Sequence, residues 1–209
     1  MKNGFLFLLA LLLFYLGYSS ISNSKLITAK APKVLTAREL TDQRVAVEVK
    51  SIKEFLKQKT NYNSDLVFLI DMKILSGRNR FFIYDLKKDE VIDRGLVAHG
   101  SGSETGIEGK LKFSNVNKSL ATSLGKYSIG KSYSGQFGKA YKLYGLDQSN
   151  SNACSRNIVL HKYSRMPYEE QIHGVCNSYG CPMVNETYFK RIERILDTSE
   201  KEILMVIYY

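Results

Sequence analysis

The stretch SYGCPMVN, residues 178–185, holds the side chain with the clearest chemical potential in this chain. Cys181 lies between Gly180 and Pro182. A cysteine packed in a core needs neither neighbour, whereas a cysteine presented to a substrate benefits from both. Glycine permits a tight turn and a close approach to the backbone, and proline fixes the direction in which the chain leaves. The pattern indicates an accessible thiol, with Ser178 and the backbone N–H groups of Gly180 and Cys181 as candidate donors to an oxyanion.

A base for this thiol must come from one of three histidines. His161 ends the apolar segment NIVLH and precedes Cys181 by 181 − 161 = 20 residues. That separation suits a strand, a loop and a return to the same edge of a sheet. An imidazole beside a thiol can remove its proton and then stabilise the thiolate. We expect Cys181 to be a nucleophile and His161 its base; the alternative is a structural cysteine.

The same residue types would also suit a zinc ion. His161, His173, Cys176 and Cys181 offer two nitrogens and two sulfurs, and zinc takes four such ligands in a tetrahedron. The spacings, with eleven residues between the histidines and four between the cysteines, are irregular for a structural zinc site. Disulfide formation also competes with zinc outside the cytoplasm. We therefore predict no metal.

The number of cysteines limits how they can pair. Three cysteines in an oxidising compartment allow one disulfide and leave one thiol over. A bridge between Cys154 and Cys176 would leave Cys181 free, whereas a bridge between Cys176 and Cys181 would leave Cys154 free. The spacing is compatible with either pairing.

The chain opens with a sequence typical of export. A short positive start precedes an unbroken apolar run over residues 5–15, and Gly17, Ser19 and Ser20 supply the small residues that signal peptidases prefer. The run is short for a membrane span. We predict a signal peptide over residues 1–22, with an uncleaved N-terminal anchor as the alternative. In either case the rest of the chain is exported, to the periplasm or the cell envelope.

A tether and an N-terminal helix are expected over residues 23–65. Apolar positions such as Val45 and Val49 follow helical spacing and predict a helix over residues 37–59, broken near Asp42.

The remainder, residues 66–209, is predicted to form one β-rich catalytic domain. The apolar segments LVFLIDM, RFFIYDL, VIDRGLVA, NIVLH and ILMVIYY are strand candidates, and the charged turn KKDE joins the second and third as a hairpin. Glycine- and serine-rich residues 99–109 and much of 114–123 are predicted loops. Asn185 is expected to cap a helix. The predicted fold class is mainly β with flanking helices (α+β).

The net charge of +10 has two interpretations. A basic chain can attract a polyanion such as an envelope polymer or a nucleic acid. The lysines here are scattered and do not cluster with stacking aromatics, which favours a solvated surface. We predict no nucleic-acid partner.

Several blocks of the sequence together resemble a known family. A strand-end histidine followed at this distance by S-x-G-C resembles the catalytic signature of the YkuD-like L,D-transpeptidases, which act on murein. VAHGSGSETG, FSNVNKSLATSLGKYSIG, YSGQFGKAYKLYGLD and NACSRNIVLH precede that motif in the order expected of the murein L,D-transpeptidase catalytic-domain group. The resemblance runs from about Phe81 to the C-terminus, whereas residues 21–66 carry none of it.

The resemblance implies a YkuD-like β-sandwich or barrel domain and a particular reaction. Cys181, activated by His161, would attack the carbonyl of the third residue of a murein stem peptide, expel the terminal D-amino acid and form a thioester. Transfer to an amine would make a 3-3 cross-link, and transfer to water would make an L,D-carboxypeptidase; a lysine of an envelope protein is a third acceptor. The implied partners are peptidoglycan stem peptides, with no cofactor, no membrane contact beyond the signal or anchor, and a monomeric state.

Other residues of the matching blocks are expected to serve the same site. His99, Ser101 and Ser114 would line or brace the cleft, and Arg156 would hold a carboxylate as a bidentate fork or pair with a local acid. Tyr179 stands where the common motif has a second histidine; the branch tends to place an aromatic there.

Three expectations complete this interpretation. A backbone carbonyl near Lys162 would orient the second ring nitrogen of His161. Cys154 and Cys176 lie outside the motif, and we expect a bridge between them. The alternative to an enzyme is a catalytically silent envelope-binding domain with structural cysteines, and the role of His173 is not assigned.

Overall fold

The apolar segments join one mixed sheet in the computed structural model, which describes residues 35–209. Within that range the fold is mainly β with flanking helices, as predicted. The strands are β1 Tyr62–Asp71, β2 Phe81–Asp85, β3 Glu90–Gly95, β4 Val97–Ala98, β5 Gly125–Gly135, β6 Gly138–Gly145, β7 Val159–Lys162, β8 Met183–Val184 and β9 Glu202–Tyr208. The α-helices are α1 Ala37–Lys57 and α2 Glu186–Thr198, and short 3-10 turns cover Ser101–Ser103 and Gln148–Asn150.

The nine strands lie in the order β3-β2-β1-β9-β5-β6-β7-β8-β4. β9 pairs parallel with β1 and antiparallel with β5, so the strand nearest the C-terminus lies inside the sheet. β7 and β8 are also parallel. The hairpin predicted from the KKDE turn is confirmed as β2 and β3, which pair antiparallel. The parallel pair β7–β8 is the part of the sheet that positions the site described below.

Alternate residues of β1 enter opposite faces of the sheet. Phe68 and Ile70 belong to the core that α2 covers, whereas Val67 and Leu69 belong to the core that α1 covers. All four side chains are fully buried. Because successive strand residues point to opposite faces, an unbroken apolar run is the pattern of a strand covered on both sides.

The first helix lies close to its predicted range, and the second begins at its predicted cap. α1 is continuous through Asp42, which forms an i,i+4 ion pair with Arg38 at 4.0 Å instead of breaking the helix. The predicted cap of α2 is confirmed, since the Asn185 side chain accepts a hydrogen bond from the amide of Thr187 at 2.7 Å.

The predicted domain limits can be compared with the described chain. The limit at residue 66 falls inside β1, which begins at Tyr62. α1 packs on the same sheet through buried residues including Val49 and Ile52. The predicted signal peptide or anchor, residues 1–22, lies outside the described residues. Among residues 35–209, no helix has the length and apolar character needed to cross a bilayer.

Candidate active site

The turn that carries Cys181 is held by the chain segment that follows β4. Gly100 and Ser178 form a parallel bridge. The amide of Ser178 donates to the carbonyl of His99 at 2.9 Å, and the amide of Ser101 donates to the carbonyl of Ser178 at 2.8 Å. Ser101 therefore contacts the Cys181 turn through its backbone amide.

Hydrogen bonds inside the turn fix its shape. The Ser178 hydroxyl donates to the carbonyl of Cys181 at 2.6 Å and accepts from the amide of Gly180 at 3.1 Å. Gly180 has φ +113°, and a Cβ atom there would lie 2.9 Å from the carbonyl oxygen of Ala121. Two of the predicted oxyanion donors, the Ser178 hydroxyl and the Gly180 amide, are thus engaged within the turn.

His161 is positioned by the strands on both sides of β7. It pairs with Ala140 of β6 and with Met183 of β8, and its amide donates to the carbonyl of Pro182 at 3.3 Å. The β8 pairing brings His161 next to the end of the Cys181 turn, because Met183 is two residues from Cys181.

The imidazole of His161 has a defined tautomer. Nδ1 lies 3.0 Å from the carbonyl oxygen of Lys162, and a carbonyl only accepts, so Nδ1 carries the proton and Nε2 has a free lone pair. This is the orienting carbonyl expected from the sequence. Burial lowers the pKa of His161, and the bond to Lys162 opposes that shift.

His161 and Cys181 line one cleft of about 260 Å³. The other lining residues are Phe137, Tyr163, Asn177, Ser178, Tyr179 and Met183. Tyr179 is 77% exposed and forms part of the cleft wall. Phe137 comes from the turn between β5 and β6 and stacks on the imidazole, with ring centroids 5.0 Å apart and planes 19° apart.

The Cys181 thiol is in contact with backbone groups. Sγ accepts a hydrogen bond from the amide of Val159 at 3.5 Å and donates to the carbonyl of Asn157 at 3.7 Å. Burial raises the pKa of Cys181, while the Val159 N–H and the positive charge of Arg156 oppose that shift. Burial thus favours the neutral form of both the thiol and the imidazole.

Arg156 binds the chain's own oxygen atoms. Nη1 donates to the carbonyl of Ser114 at 2.9 Å and to the hydroxyl of Ser123 at 3.2 Å. Nη2 donates to the hydroxyl of Ser119 at 3.3 Å and to the carbonyl of Ala121. Since both Nη groups are used in this way, the expected fork for a substrate carboxylate is not available. Arg156 and Ser114 instead hold the loop over residues 114–123, on which Gly180 rests.

His99 lies behind the site, in a second cavity. Its Nδ1 accepts from Arg80 Nη2 at 2.9 Å, and its Nε2 is 2.7 Å from Glu104 Oε1. His99, Arg80 and Glu104 all line this cavity of about 290 Å³, which is separate from the cleft that contains Cys181. His99 therefore braces the Cys181 turn through its backbone carbonyl and does not line the cleft.

The three cysteines are free thiols. The expected bridge between Cys154 and Cys176 is not formed: Cys154 is exposed on a turn, and the Cys176 sulfur instead contacts the sulfur of Met166 at 3.6 Å. Cys176 lies with His173 in a shallow surface groove. Within residues 35–209, no group of three or more His, Cys, Asp or Glu side chains is placed to hold a metal ion.

Several cleft residues have no counterpart in the sequence analysis. Phe137, Tyr163, Asn177 and Met183 line the cleft but were not predicted to do so. One signal was available: Met183 and Asn177 flank the motif at two and four residues from Cys181.

The fold and the cleft define the class of protein, a mainly β domain in which a cysteine and a histidine share one cleft. The chain belongs to the L,D-transpeptidase catalytic domain family, whose model matches residues 36–208. The match includes α1, which the sequence analysis left outside the resemblance. No curated protein matches the chain.

Three solved structures illustrate the likeness of this chain to known proteins. The Ldtfm-avibactam carbamoyl enzyme is 10% identical with a TM-score of 0.44, covering 70% of this chain and 50% of that one. The helical cell shape determining protein Pgp2 from Campylobacter jejuni is 11% identical with a TM-score of 0.45, covering 68% and 47%. An L,D-transpeptidase from Mycobacterium smegmatis is 9% identical with a TM-score of 0.39, covering 69% and 59%. The chain thus spans about half the length of these proteins.

Proposed function

We propose that this protein is an exported L,D-transpeptidase that acts on peptidoglycan stem peptides through a thioester on Cys181. The observation that carries the proposal is one cleft lined by a free thiol and by an imidazole of defined tautomer. The family membership supports the class of reaction.

His161 acts as a general base and then as a general acid. Nε2 takes the thiol proton as Sγ attacks the carbonyl carbon of the third residue of the stem peptide. The C–N bond to the terminal D-amino acid then breaks, and the imidazolium returns its proton to the leaving amine. A thioester on Cys181 and a free D-amino acid are the products of this half-reaction.

The second half-reaction uses the same groups in reverse. An incoming amine loses a proton to Nε2 as its nitrogen attacks the thioester carbonyl, and the C–S bond breaks. The sulfur recovers the proton from the imidazolium, and a new amide joins two third-position residues. Water in place of the amine gives the carboxypeptidase reaction.

Neutral groups at rest suit this sequence of steps. A thiol with a raised pKa keeps its proton until substrate is bound, and an imidazole with a lowered pKa keeps its lone pair. We assign the backbone amide of Cys181 to the developing oxyanion, because the Gly180 amide and the Ser178 hydroxyl already serve the turn.

The cellular setting follows from the substrate. The proposed protein is monomeric and uses no metal or organic cofactor. It works in the periplasm or another part of the cell envelope, where stem peptides are present, after delivery by the N-terminal signal or anchor.

Covalent labelling tests the proposal. Incubation with a carbapenem is expected to add one drug mass to the intact protein, on Cys181. The Cys181→Ala variant should keep its fold by circular dichroism, take no adduct and lose D-amino-acid release by about 10³-fold or more. Cys176→Ser is the matched control and should label normally.

Two outcomes would contradict the proposal. An adduct that persists in Cys181→Ala would move the nucleophile elsewhere. Binding of purified peptidoglycan with neither an adduct nor D-amino-acid release would instead indicate an envelope-binding domain.

A further inference from the structure

Four polar side chains form a hydrogen-bonded network that extends from the core to the cleft. Arg80 is 1% exposed, and its Nη2 donates to His99 Nδ1 at 2.9 Å. His99 Nε2 is 2.7 Å from Glu104 Oε1. Asn177 Nδ2 donates to that same oxygen at 3.2 Å. Asn177 also lines the cleft that contains Cys181, so this network ends at the wall of that cleft.

Arg80 determines which atom donates and which accepts in each hydrogen bond of this network. A guanidinium can only donate, so His99 Nδ1 must accept, and the single ring proton of His99 lies on Nε2. That proton is donated to Glu104. Burial and the nearby charge of Arg80 lower the pKa of His99, which keeps the ring neutral. Arg80 itself is held by the carbonyls of Val97 and Ile74.

The orientation of the Asn177 amide follows from the same argument. An ionised carboxylate only accepts, and the bond from His99 lowers the pKa of Glu104, which keeps it ionised. The amide group facing Glu104 is therefore the NH₂ group. The carbonyl oxygen Oδ1 is on the other branch of the amide, away from Glu104.

The backbone beside Asn177 is also fixed. Ser178, the next residue, is paired with His99 and Ser101 through two backbone hydrogen bonds. Asn177 is exposed, but its bond to Glu104 and the bridge at the next residue reduce the conformational freedom that it would lose when a ligand binds.

We propose that Asn177 Oδ1 accepts a hydrogen bond from an N–H group of the stem peptide, and that Arg80, His99 and Glu104 are positioning residues that set this orientation. The inference rests on the proposed function and adds a binding residue to it. The N–H group has two possible sources: a peptide N–H of the acyl donor, or the amine of the acceptor.

A binding experiment tests the donor arm without catalysis. In the Cys181→Ala background, a soluble murein tetrapeptide with a diamino acid third and D-alanine fourth is titrated by calorimetry. Asn177→Ala should weaken binding about tenfold, the effect of one lost hydrogen bond. Glu104→Ala releases the amide and should weaken binding about threefold, a smaller loss because Asn177 remains present. Glu104→Gln still offers an oxygen to His99 and Asn177 and should bind like its parent.

A partition experiment tests the acceptor arm. With Cys181 intact, the ratio of transfer to hydrolysis is measured at a fixed concentration of an amine acceptor. Asn177→Ala should lower this ratio about tenfold if the amine is the N–H source. Alkylation of Cys181 by iodoacetamide should be unchanged, since this reagent makes no use of Asn177.

The outcomes separate this inference from the proposed function. The inference is supported if Asn177→Ala weakens tetrapeptide binding or lowers the ratio of transfer to hydrolysis, while Glu104→Gln binds the tetrapeptide like its parent. Tetrapeptide binding and transfer that are both insensitive to Asn177→Ala overturn the inference and leave the proposed function intact. Absence of both tetrapeptide binding and a carbapenem adduct overturns the two together.

Discussion

The ring of Phe137 lies flat against the imidazole of His161, with centroids 5.0 Å apart and planes inclined by 19°. Tyr163 packs edge-on against Phe137, with ring centroids 5.6 Å apart and planes at 81°. Phe137 is itself 44% exposed, at the tip of the β5–β6 hairpin. The hairpin thus shields from water the residue that we assign as the base.

Removal of this ring should change how His161 titrates. Burial is the main cause of its lowered pKa, so Phe137→Ala should admit water and move the pKa of His161 upward, towards the ordinary value of about 6.5. NMR titration of the imidazole, assigned with a His161→Gln variant, measures the shift. Phe137→Tyr keeps the stacked ring and should titrate like the parent. A pKa that stays the same or falls in Phe137→Ala would contradict this account.

The Cys181 thiol of the free protein should ionise only at high pH. Burial raises the pKa of Cys181, so its alkylation rate should keep rising with pH beyond about 8.5, the ordinary value for a free cysteine. The measurement is made on a Cys154→Ser, Cys176→Ser double variant, in which Cys181 is the remaining thiol. The same chain in denaturant provides the reference profile. A plateau reached below neutral pH would show a preformed thiolate–imidazolium pair and contradict the neutral resting state.

Loss of Arg156 should loosen the loop under Gly180. Arg156→Ala removes the side-chain donor to the carbonyls of Ser114 and Ala121 and to the hydroxyls of Ser119 and Ser123. The two hydroxyls keep another partner, whereas the two carbonyls lose this bond. An unsatisfied buried group costs about 1–3 kcal/mol, and we expect a loss of about 2–3 kcal/mol in the free energy of unfolding, measured by denaturant titration. The exposed Arg165→Ala is the matched control and should be nearly neutral. Equal losses in the two variants would refute the bracing role.

A methyl group at position 180 should disable the turn. Gly180→Ala would place Cβ 2.9 Å from Ala121 O and 3.1 Å from Ile158 Cδ1, at φ +113°. Gly106→Ala is the matched control, because Gly106 also has positive φ, +79°, but an added Cβ would meet nothing within 4 Å. We expect Gly106→Ala to lose about 1 kcal/mol of stability from backbone strain alone.

The difference in stability between Gly180→Ala and Gly106→Ala measures the steric clash of the added Cβ at position 180. Gly180→Ala should lose about 2–4 kcal/mol, together with carbapenem labelling of Cys181. Labelling at the parent rate in Gly180→Ala would show that the turn does not need glycine.

The sequence predicts most reliably what depends on local pattern. The unbroken run of β1 and the Asn185 cap depend on near neighbours, and both are present. The placement of His161 and Cys181 at one cleft was predictable, because a strand, a loop and a return to the same sheet edge bring the two positions together.

Contacts between distant segments were not predictable in the same way. Phe137 reaches His161 because β6 pairs with β7, a register that no local pattern specifies. Arg156 was expected to face a substrate, but the loop over residues 114–123 folds over it and supplies its acceptors. The predicted disulfide was wrong for a similar reason, because the number of cysteines does not determine which sulfur atoms lie close together.

The position of β9 has a consequence for the order in which the sheet can assemble. In the sheet, the ladder β3-β2-β1 is joined to the ladder β5-β6-β7-β8-β4 through β9. Ribosomal synthesis delivers the N-terminal part first, so residues 202–208 are made after β1 to β8. Until β9 is in place, the strands β5-β6-β7-β8-β4, which position Cys181, are not joined to the strands β3-β2-β1. We expect the cleft to reach its final geometry only after β9 has paired with β1 and β5.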